Sequence, residues 1–251
     1  MQQMDRVGLI LIGDELLSGK RVDRHLPHVA AVLTPRGQTV AWVRMVGDSQ
    51  GDIVSELKQT RAAGLPVFCF GGIGATPDDC TRAAAAAAFG VALQRNQAAV
   101  AEIEQRFGDA AYPQRIRMAD LPEGARLIPN PYNRIPGFSL EAHHFFPGFT
   151  DMAWPMLDWV LANHYPQAGE ALCEVSVLVH GVVESRLLDL MERLAADHPG
   201  AKLFCLPKLP PGSVLELGFR GPRVSVDAAL ADLLTALRAR AVAYTVSPAP
   251  D

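Results

Sequence analysis

The sequence has no long hydrophobic run, and this absence excludes a membrane-spanning helix. None of the 251 residues belongs to a stretch near the roughly 20 apolar residues that a transmembrane helix needs. The apolar run Val7 to Ile12 is too short for the core of a signal peptide, and Asp14 follows it closely. We therefore predict a cytoplasmic protein that does not associate with membranes.

The chain also has few cysteines and only a small excess of negative over positive charge. The four cysteines, Cys69, Cys80, Cys173 and Cys205, include no C-x-x-C pair, and this pattern favours reduced core residues over a disulfide framework. A net charge of -4 provides no basic field to attract nucleic acid. The sequence therefore predicts neither disulfides nor a nucleic-acid partner.

Three common catalytic or binding motifs are missing. There is no G-x-S-x-G nucleophile motif, no G-x-G-x-x-G fingerprint and no P-loop, since Arg21 follows "GDELLSGK" (13–20) where a P-loop needs Ser or Thr. His143 and His144 are adjacent in a strand pattern and face opposite sides, so they do not form a metal site together.

The first two thirds of the chain alternate between strand and helix patterns. This order predicts a three-layer α/β/α domain with a mostly parallel sheet over residues 1–167. Strands are expected at 7–12, 39–46, 66–70, 125–130 and within 137–149, and helices at 22–35, 50–63, 78–89, 96–107 and 151–164.

A second, smaller α+β module is predicted for residues 168–251, after the linker-like segment 163–171. Its expected elements are strands at 172–179, 201–206 and 214–220 and helices at 183–196 and 226–242. The module has no cluster of carboxylates, histidines or loop glycines, so we expect it to supply no catalytic group.

The most informative stretch is "GGIGATPDDCT" (71–81), which follows a buried strand. Gly71, Gly72 and Gly74 leave backbone amides uncovered at a strand-to-helix turn, where α/β proteins bind phosphate. A carboxylate pair beside a phosphate is favourable if a divalent cation lies between them. One interpretation is therefore a ligand loop in which Asp78 and Asp79 hold a metal ion.

Helix capping is an alternative interpretation of the same residues. Thr76 as N-cap, Pro77 as the first helical residue and Asp79 as the third match a capping box. Capping accounts for "TPDD" but not for the three glycines.

Two further loops are candidates for the same site. Gly13, Asp14 and Glu15 follow the first strand, and the two acids are either metal-facing or simply solvated. The stiff loop "PNPYNRIPGF" (129–138) is expected either to hold Asn130 and Arg134 toward a ligand or to be an ordinary connection.

Taken together, these stretches resemble one family. "IGDELLSGK", "MVGDSQGDI", "GGIGATPDDCT", "LPEGARLIPNP", "PGF" and "FPG" are similar to the molybdopterin-binding domain, in its CinA N-terminal type (competence/damage-inducible protein A). Most of residues 6–165 are covered, and 170–245 resembles the small KH-like module that follows in CinA proteins. The resemblance does not extend to the C-terminal deamidase domain of full-length CinA proteins, so we expect deamidase activity to be absent.

The resemblance implies a phosphate-bearing ligand at the C-terminal edge of the sheet. It implies either binding of molybdopterin or a related phosphorylated pterin or nucleotide, or metal-dependent hydrolysis of ADP-ribose or a similar diphosphate. The implied cofactor is a divalent metal (Mg²⁺, or Mn²⁺ or Co²⁺), and the implied assembly is a homo-oligomer, a dimer or trimer. The expected residues are Asp78, Asp79 and Asp48 for catalysis, Asp78 and Asp14 for the metal, and Gly13, Asp14, Glu15, Gly71, Gly72, Gly74, Thr76, Asn130, Pro136 and Gly137 for the ligand.

The sequence departs from the family pattern at four places. Ala75 replaces a proline, which is a mild change. Ile135 replaces an alanine, and together with Asn133 this larger side chain predicts a narrower pocket. Asn133 replaces a glycine, and asparagine tolerates a positive φ there better than most residues. Asp151 stands where glutamate is expected in a shortened loop, "PGFTDM" (147–152), and this change bears on hydrolysis more than on binding.

Overall fold

The computed structural model describes residues 5–165, 169–208 and 214–246. It divides into two compact units, residues 1–33 with 38–168 and residues 34–37 with 169–251. The predicted domain boundary after residue 167 lies outside the described residues.

The first unit is built on a six-stranded sheet that is mostly parallel. Its strand order is β2-β1-β3-β8-β7-β6. Five of these strands run in the same direction, and β7 runs opposite to them. Two further short strands, β4 and β5, pair with each other. The strands are β1 (Arg6–Ile12), β2 (Thr39–Val46), β3 (Val67–Phe70), β4 (Leu93–Arg95), β5 (Asp120–Pro122), β6 (Arg126–Ile128), β7 (Gly137–Leu140) and β8 (His143–Phe146).

Helices cover both faces of this sheet, because its central strands are apolar on both sides. Along β1, Ile10 and Ile12 pack into one core, and Leu9 and Leu11 pack into the other. The helices are α1 (Asp14–Leu17), α2 (His25–Leu33), α3 (Gln50–Ala63), α4 (Thr81–Phe89), α5 (Gln97–Phe107) and α6 (Thr150–His164). The predicted three-layer α/β/α fold is confirmed.

Two predicted helix starts in the first unit are wrong, and so are two in the second unit, where the helices expected at 183 and 226 begin at Leu188 and Arg223. Helix α2 begins at His25 because the Asp23 carboxylate accepts from the backbone N–H groups of His25 and Leu26. Helix α4 begins at Thr81, not at 78, with Cys80 in the N-cap position and without a side-chain cap. The helix ends at Gly90, which adopts a left-handed conformation at φ 72°.

The second unit is a small α+β module, as predicted. Its four-stranded antiparallel sheet has the order β10-β11-β9-β12. The elements are β9 (Leu172–His180), α7 (Leu188–Asp197), β10 (Lys202–Lys208), β11 (Val214–Pro222), α8 (Arg223–Ala239) and the unpredicted β12 (Tyr244–Val246). Leu217, Phe219 and Leu233 belong to its separate buried core.

Two further features of the structure concern its cysteines and the length of its helices. All four cysteines are free. Within the described part of the chain, the helices all fall short of the length and apolar character that crossing a membrane requires.

Candidate functional site

The candidate site lies at the edge of the sheet where four parallel strands end. Strands β1, β2, β3 and β8 deliver the chain there into Gly13, Gly47, Gly71 and Pro147. The chain order reverses between β1 and β3, since β2 lies on one side of β1 and β3 on the other. Ligands of open α/β sheets bind outside the strand ends at such a switch point.

A cavity of about 470 Å³ opens at this edge. One part of its wall is polar, with Glu15, Arg21, Asp48, Asp78 and Asp79, and another part is apolar. The apolar and small residues of the wall are Ile12, Gly13, Gly71, Gly72, Ile73, Gly74, Ala75, Met118, Ile135, Pro147, Gly148, Phe149 and Met152. Its volume is within the range for a small-molecule site.

The fold requires glycine at Gly71 and Gly72, where φ is also positive, and it leaves little room for a side chain at Gly74. A Cβ atom at Gly71 would lie 2.2 Å from the carbonyl oxygen of Ile12, and one at Gly72 would lie 2.2 Å from the Thr81 hydroxyl. A Cβ at Gly74 would lie 2.5 Å from the Asp79 carboxylate. Close packing therefore accounts for these glycines even in the absence of a ligand, whereas helix capping does not account for them.

The start of α4 holds two loop carbonyls and thereby orients two amides. The Thr81 N–H donates to the Gly72 carbonyl and the Thr81 hydroxyl to the Gly71 carbonyl, both at 3.0 Å. Because a trans peptide is planar, its N–H points away from its carbonyl. The N–H groups of Gly72 and Ile73 therefore point away from Thr81, and both residues line the cavity.

Four consecutive loop amides have no acceptor. Within residues 5–165, no protein atom accepts a hydrogen bond from the N–H groups of Gly72, Ile73, Gly74 or Ala75. Successive free N–H groups of this kind form the concave backbone sites that bind anions.

The helix-capping interpretation does not hold for Thr76, because α4 begins only at Thr81 with Cys80 in the N-cap position, although one contact of a capping box is present. The Thr76 N–H donates to Asp79 Oδ2 at 2.9 Å, the Thr76 hydroxyl donates to the same carboxylate, and Asp79 N–H returns to the Thr76 carbonyl at 3.1 Å. These bonds close a turn that precedes the helix. The helix itself begins at Thr81, which binds the carbonyls of Gly71 and Gly72. The nearby Thr76 hydroxyl also lowers the pKa of Asp78, which is exposed at the cavity.

Asp14 and Asp48 bind each other's backbone across the ends of β1 and β2. Asp14 N–H donates to Asp48 Oδ2 at 2.9 Å, and Asp48 N–H donates to Asp14 Oδ1 at 3.2 Å. Asp48 lines the cavity and Asp14 does not. Burial raises the pKa of Asp48, as do the nearby charges of Asp14, Glu15 and Asp78.

The loop at 129–138 contributes less than the sequence suggested. Asn130 lines the cavity, but its amide is bound to Asn133 Oδ1 at 2.8 Å and to the Ile135 carbonyl at 2.9 Å, so it shapes the loop. Arg134 does not line this cavity and pairs instead with Glu102 and Gln105.

The other two ligand residues expected in this loop, Pro136 and Gly137, are buried outside the cavity wall. In this loop the residue with a positive φ is Arg134, at 62°, and not Asn133.

His143 and His144 are core residues on opposite faces, as predicted. His143 contacts Thr60 and Phe89, and His144 contacts Ser139 and Tyr165.

Several cavity residues were not found from the sequence. Arg21 forms a 3.5 Å ion pair with Glu15, and its position after "GDELLSGK" indicates only that the stretch is not a P-loop. Phe149 is 61% exposed at the cavity, and its "FPGF" context was the available signal. Met118 comes from a short 3₁₀ helix at Arg115–Ala119, and nothing in its sequence context indicated a role.

Comparison with known proteins agrees with this geometry. Residues 8–167 match the family model described as "Probable molybdopterin binding domain". The chain is similar to a CinA-like protein of Geobacter sp. (strain M21), with 33% identity over 82% of this chain and 51% of the relative. It is also similar to a protein of Caldivirga maquilingensis, with 30% identity over 78% of each chain.

A solved structure is similar to nearly two thirds of the chain. The crystal structure of the protein CinA with unknown function from Thermoplasma acidophilum has 26% identity and a TM-score of 0.58, over 63% of this chain and 98% of that one. The chain spans about half the length of the CinA-like relative from Geobacter.

Proposed function

Because the chain belongs to the family of probable molybdopterin-binding domains, we propose that its cavity binds a small phosphorylated pterin such as molybdopterin. The single observation that carries the proposal is the row of free N–H groups from Gly72 to Ala75 at the cavity wall. Backbone N–H groups at the end of a parallel strand bind phosphate without needing a basic side chain. Arg21 adds a cation on the same wall.

The apolar wall suits a flat ring. Ile73, Met118, Ile135 and Met152 line the cavity together with Phe149. A site with an apolar wall and a few polar groups orients a small ligand by burying its ring and bonding its polar end. We therefore place the ring against these side chains and the phosphate against the glycine loop.

A divalent cation fits the chemistry of the acidic wall, but only together with the ligand. Among the described residues no group of three or more His, Cys, Asp or Glu side chains is placed to hold a metal ion. Mg²⁺ is commonly held by one or two carboxylates plus phosphate oxygens. We propose that Asp78 and Asp48 are those carboxylates; Asp14, also expected as a metal ligand, contacts the backbone of Asp48. A bound ion would offset the repulsion between phosphate and carboxylates.

The second candidate function is metal-dependent hydrolysis of ADP-ribose or a similar diphosphate. Asp48 and Asp78 favour it, since both carboxylates line the cavity and a cation held by them would polarise a bound diphosphate. Release of AMP from ADP-ribose with Mg²⁺, Mn²⁺ or Co²⁺ would establish this activity.

Substitution of Asp78 tests the role of the acidic wall. Asp78→Asn should reduce Mg²⁺-dependent binding of a pterin phosphate or of ADP-ribose by at least about tenfold, because one charged ligand of the cation is lost. Stability should stay within about 0.5 kcal/mol, since the side chain is exposed and caps no helix. Titration calorimetry of both ligands, with and without Mg²⁺, measures the binding.

The matched control is Asp109→Asn, which removes an exposed carboxylate outside the cavity wall. It should leave both affinities unchanged. If Asp78→Asn binds both ligands as tightly as the parent protein in Mg²⁺, the carboxylate has no role in binding.

A further inference from the structure

Arg82 is the one charged side chain among the buried residues that the structure describes. It follows the glycine loop as the second residue of α4 and is 9% exposed. Its guanidinium donates to the Gly74 carbonyl at 2.6 Å, to the Asp120 carbonyl at 3.1 Å and to the Arg117 carbonyl. Every one of these acceptors is a backbone carbonyl.

The charge of Arg82 has no carboxylate in hydrogen-bond contact. The two carboxylates that act on it electrostatically, those of Asp120 and Asp79, are bound to other groups. Arg95 holds the Asp120 carboxylate at 2.5 and 3.2 Å, and Thr76 holds that of Asp79. A buried charge without a bonded counter-ion is costly, and Arg82 Nε is also buried without a partner.

The contact with Gly74 determines the direction of one loop amide. The carbonyl of Gly74 and the N–H of Ala75 belong to the same planar peptide, so they point in opposite directions. Since the carbonyl is held by Arg82, the Ala75 N–H points away from the guanidinium, and Ala75 lines the cavity. An anion bonded to that N–H would lie about 8 Å from the guanidinium, which is within one Debye length.

We propose that Arg82 is a positioning residue of the anion site: it aims the Ala75 N–H into the cavity and supplies a positive charge that a bound phosphate group compensates. This inference rests on the proposed function. It explains why an arginine is buried behind a loop whose charged side chains at the cavity, Asp78 and Asp79, are both acidic.

Removal of the charge and the contact tests this role with inorganic pyrophosphate as the probe. Arg82→Met should bind pyrophosphate about tenfold to a hundredfold more weakly, since a charge-assisted contact is lost. Arg82→Lys keeps the charge and should lose less than Arg82→Met does. Arg61→Met, which removes an arginine paired with Glu141 outside the cavity wall, is the matched control and should bind normally.

Amide NMR spectra supply a readout that general destabilisation would not reproduce. In the parent protein, pyrophosphate should shift the amide signals of Gly72, Ile73 and Ala75. In Arg82→Met the shift of Ala75 should be lost, while those of Gly72 and Ile73 should persist because Thr81 still holds their peptides. If Arg82→Met does not fold, Arg82→Gln should bind more weakly yet keep the Ala75 shift, since it retains a donor for Gly74.

The outcomes distinguish the inference from the proposed function. A parent protein that does not bind pyrophosphate, with or without Mg²⁺, would contradict the phosphate site itself. A parent protein that binds, combined with a folded Arg82→Met or Arg82→Gln of unchanged affinity, would overturn only the role of Arg82.

Discussion

Acidification from pH 7 to pH 4 is expected to destabilise the first unit by about 6 kcal/mol, through His143 and His144 alone. Both side chains are buried in strand β8, at 2% and 1% exposure. His143 shares a 3.0 Å hydrogen bond with the Thr60 hydroxyl. His144 lies between the Ser139 hydroxyl at 2.8 Å and the Tyr165 hydroxyl at 2.7 Å. None of these three hydroxyls carries a negative charge that would stabilise an imidazolium.

The direction of the effect follows from the pKa values in the folded state. Burial lowers the pKa of His143 to about 4 and that of His144 to about 3, from 6.5. Between pH 6.5 and these values the unfolded chain binds protons that the folded unit does not, so stability falls as the pH falls. Each histidine should cost roughly 3 kcal/mol at pH 4, and above pH 6.5 neither should contribute. A loss of this size is comparable with the whole stability of many domains.

Urea unfolding followed by tryptophan fluorescence measures this loss. All three tryptophans, Trp42, Trp154 and Trp159, lie in the first unit, so the signal reports that unit. His143→Gln keeps a hydrogen-bonding side chain but cannot titrate, and it should remove about half of the decrease between pH 6.5 and 4. A variant whose stability falls as steeply as that of the parent would show that His143 does not cause the pH dependence.

Most of the fold could be predicted from the sequence because local pattern and packing agree there. The run Val7 to Ile12 is apolar at every position, and it forms a central strand buried on both faces. Helix α3 occupies its predicted range, 50–63, because Ser49 caps its start and Gly64 ends it. Helix α4 begins later than its pattern suggested because the start depends on contacts between Thr81 and residues nine or ten positions earlier, which no local pattern contains.

The sequence predicted which strand ends and loops form the candidate site. It did not predict which side chains hold those loops in place. Asp48, Asp78, Asp79 and the glycine loop were expected at one edge, since parallel strands end together. The direction of each peptide, however, depends on which carbonyl Thr81 or Arg82 holds, and this is a tertiary property. The glycines, which suggested a ligand in the sequence, turn out to be needed by the fold as well.

Gly72→Ala is expected to destabilise the first unit by about 3 kcal/mol or more, which tests the requirement of the fold for glycine. Gly72 has a φ of 68°, which costs an alanine about 1 kcal/mol. Its new Cβ atom would also lie 2.2 Å from the Thr81 hydroxyl, and overpacking of this kind costs about 1–3 kcal/mol more. Displacement of Thr81 would in addition release the Gly71 carbonyl, for about 1 kcal/mol.

Gly64→Ala is the matched control for the backbone term. Gly64 has nearly the same φ, 71°, but a Cβ atom there would have nothing within 4 Å. It should therefore cost only about 1 kcal/mol, and the difference between the two variants measures the contact with Thr81. If Gly72→Ala is as mild as Gly64→Ala, the fold does not need this glycine, and its role would have to lie in the ligand.

A double-mutant cycle identifies the contact. Thr81→Ala removes the hydroxyl, so the nearest remaining atom of residue 81 to the new Cβ is its own Cβ, at 3.2 Å. In that background Gly72→Ala should cost about 1–2 kcal/mol less than it does alone, because two residues in contact do not act additively. An additive pair would show that the clash is relieved elsewhere in the loop. The parent protein, the two single variants and the double variant can also be titrated with pyrophosphate. Each variant should bind it more weakly than the parent, since the Gly72 N–H is no longer aimed at the cavity once Thr81 is displaced or truncated.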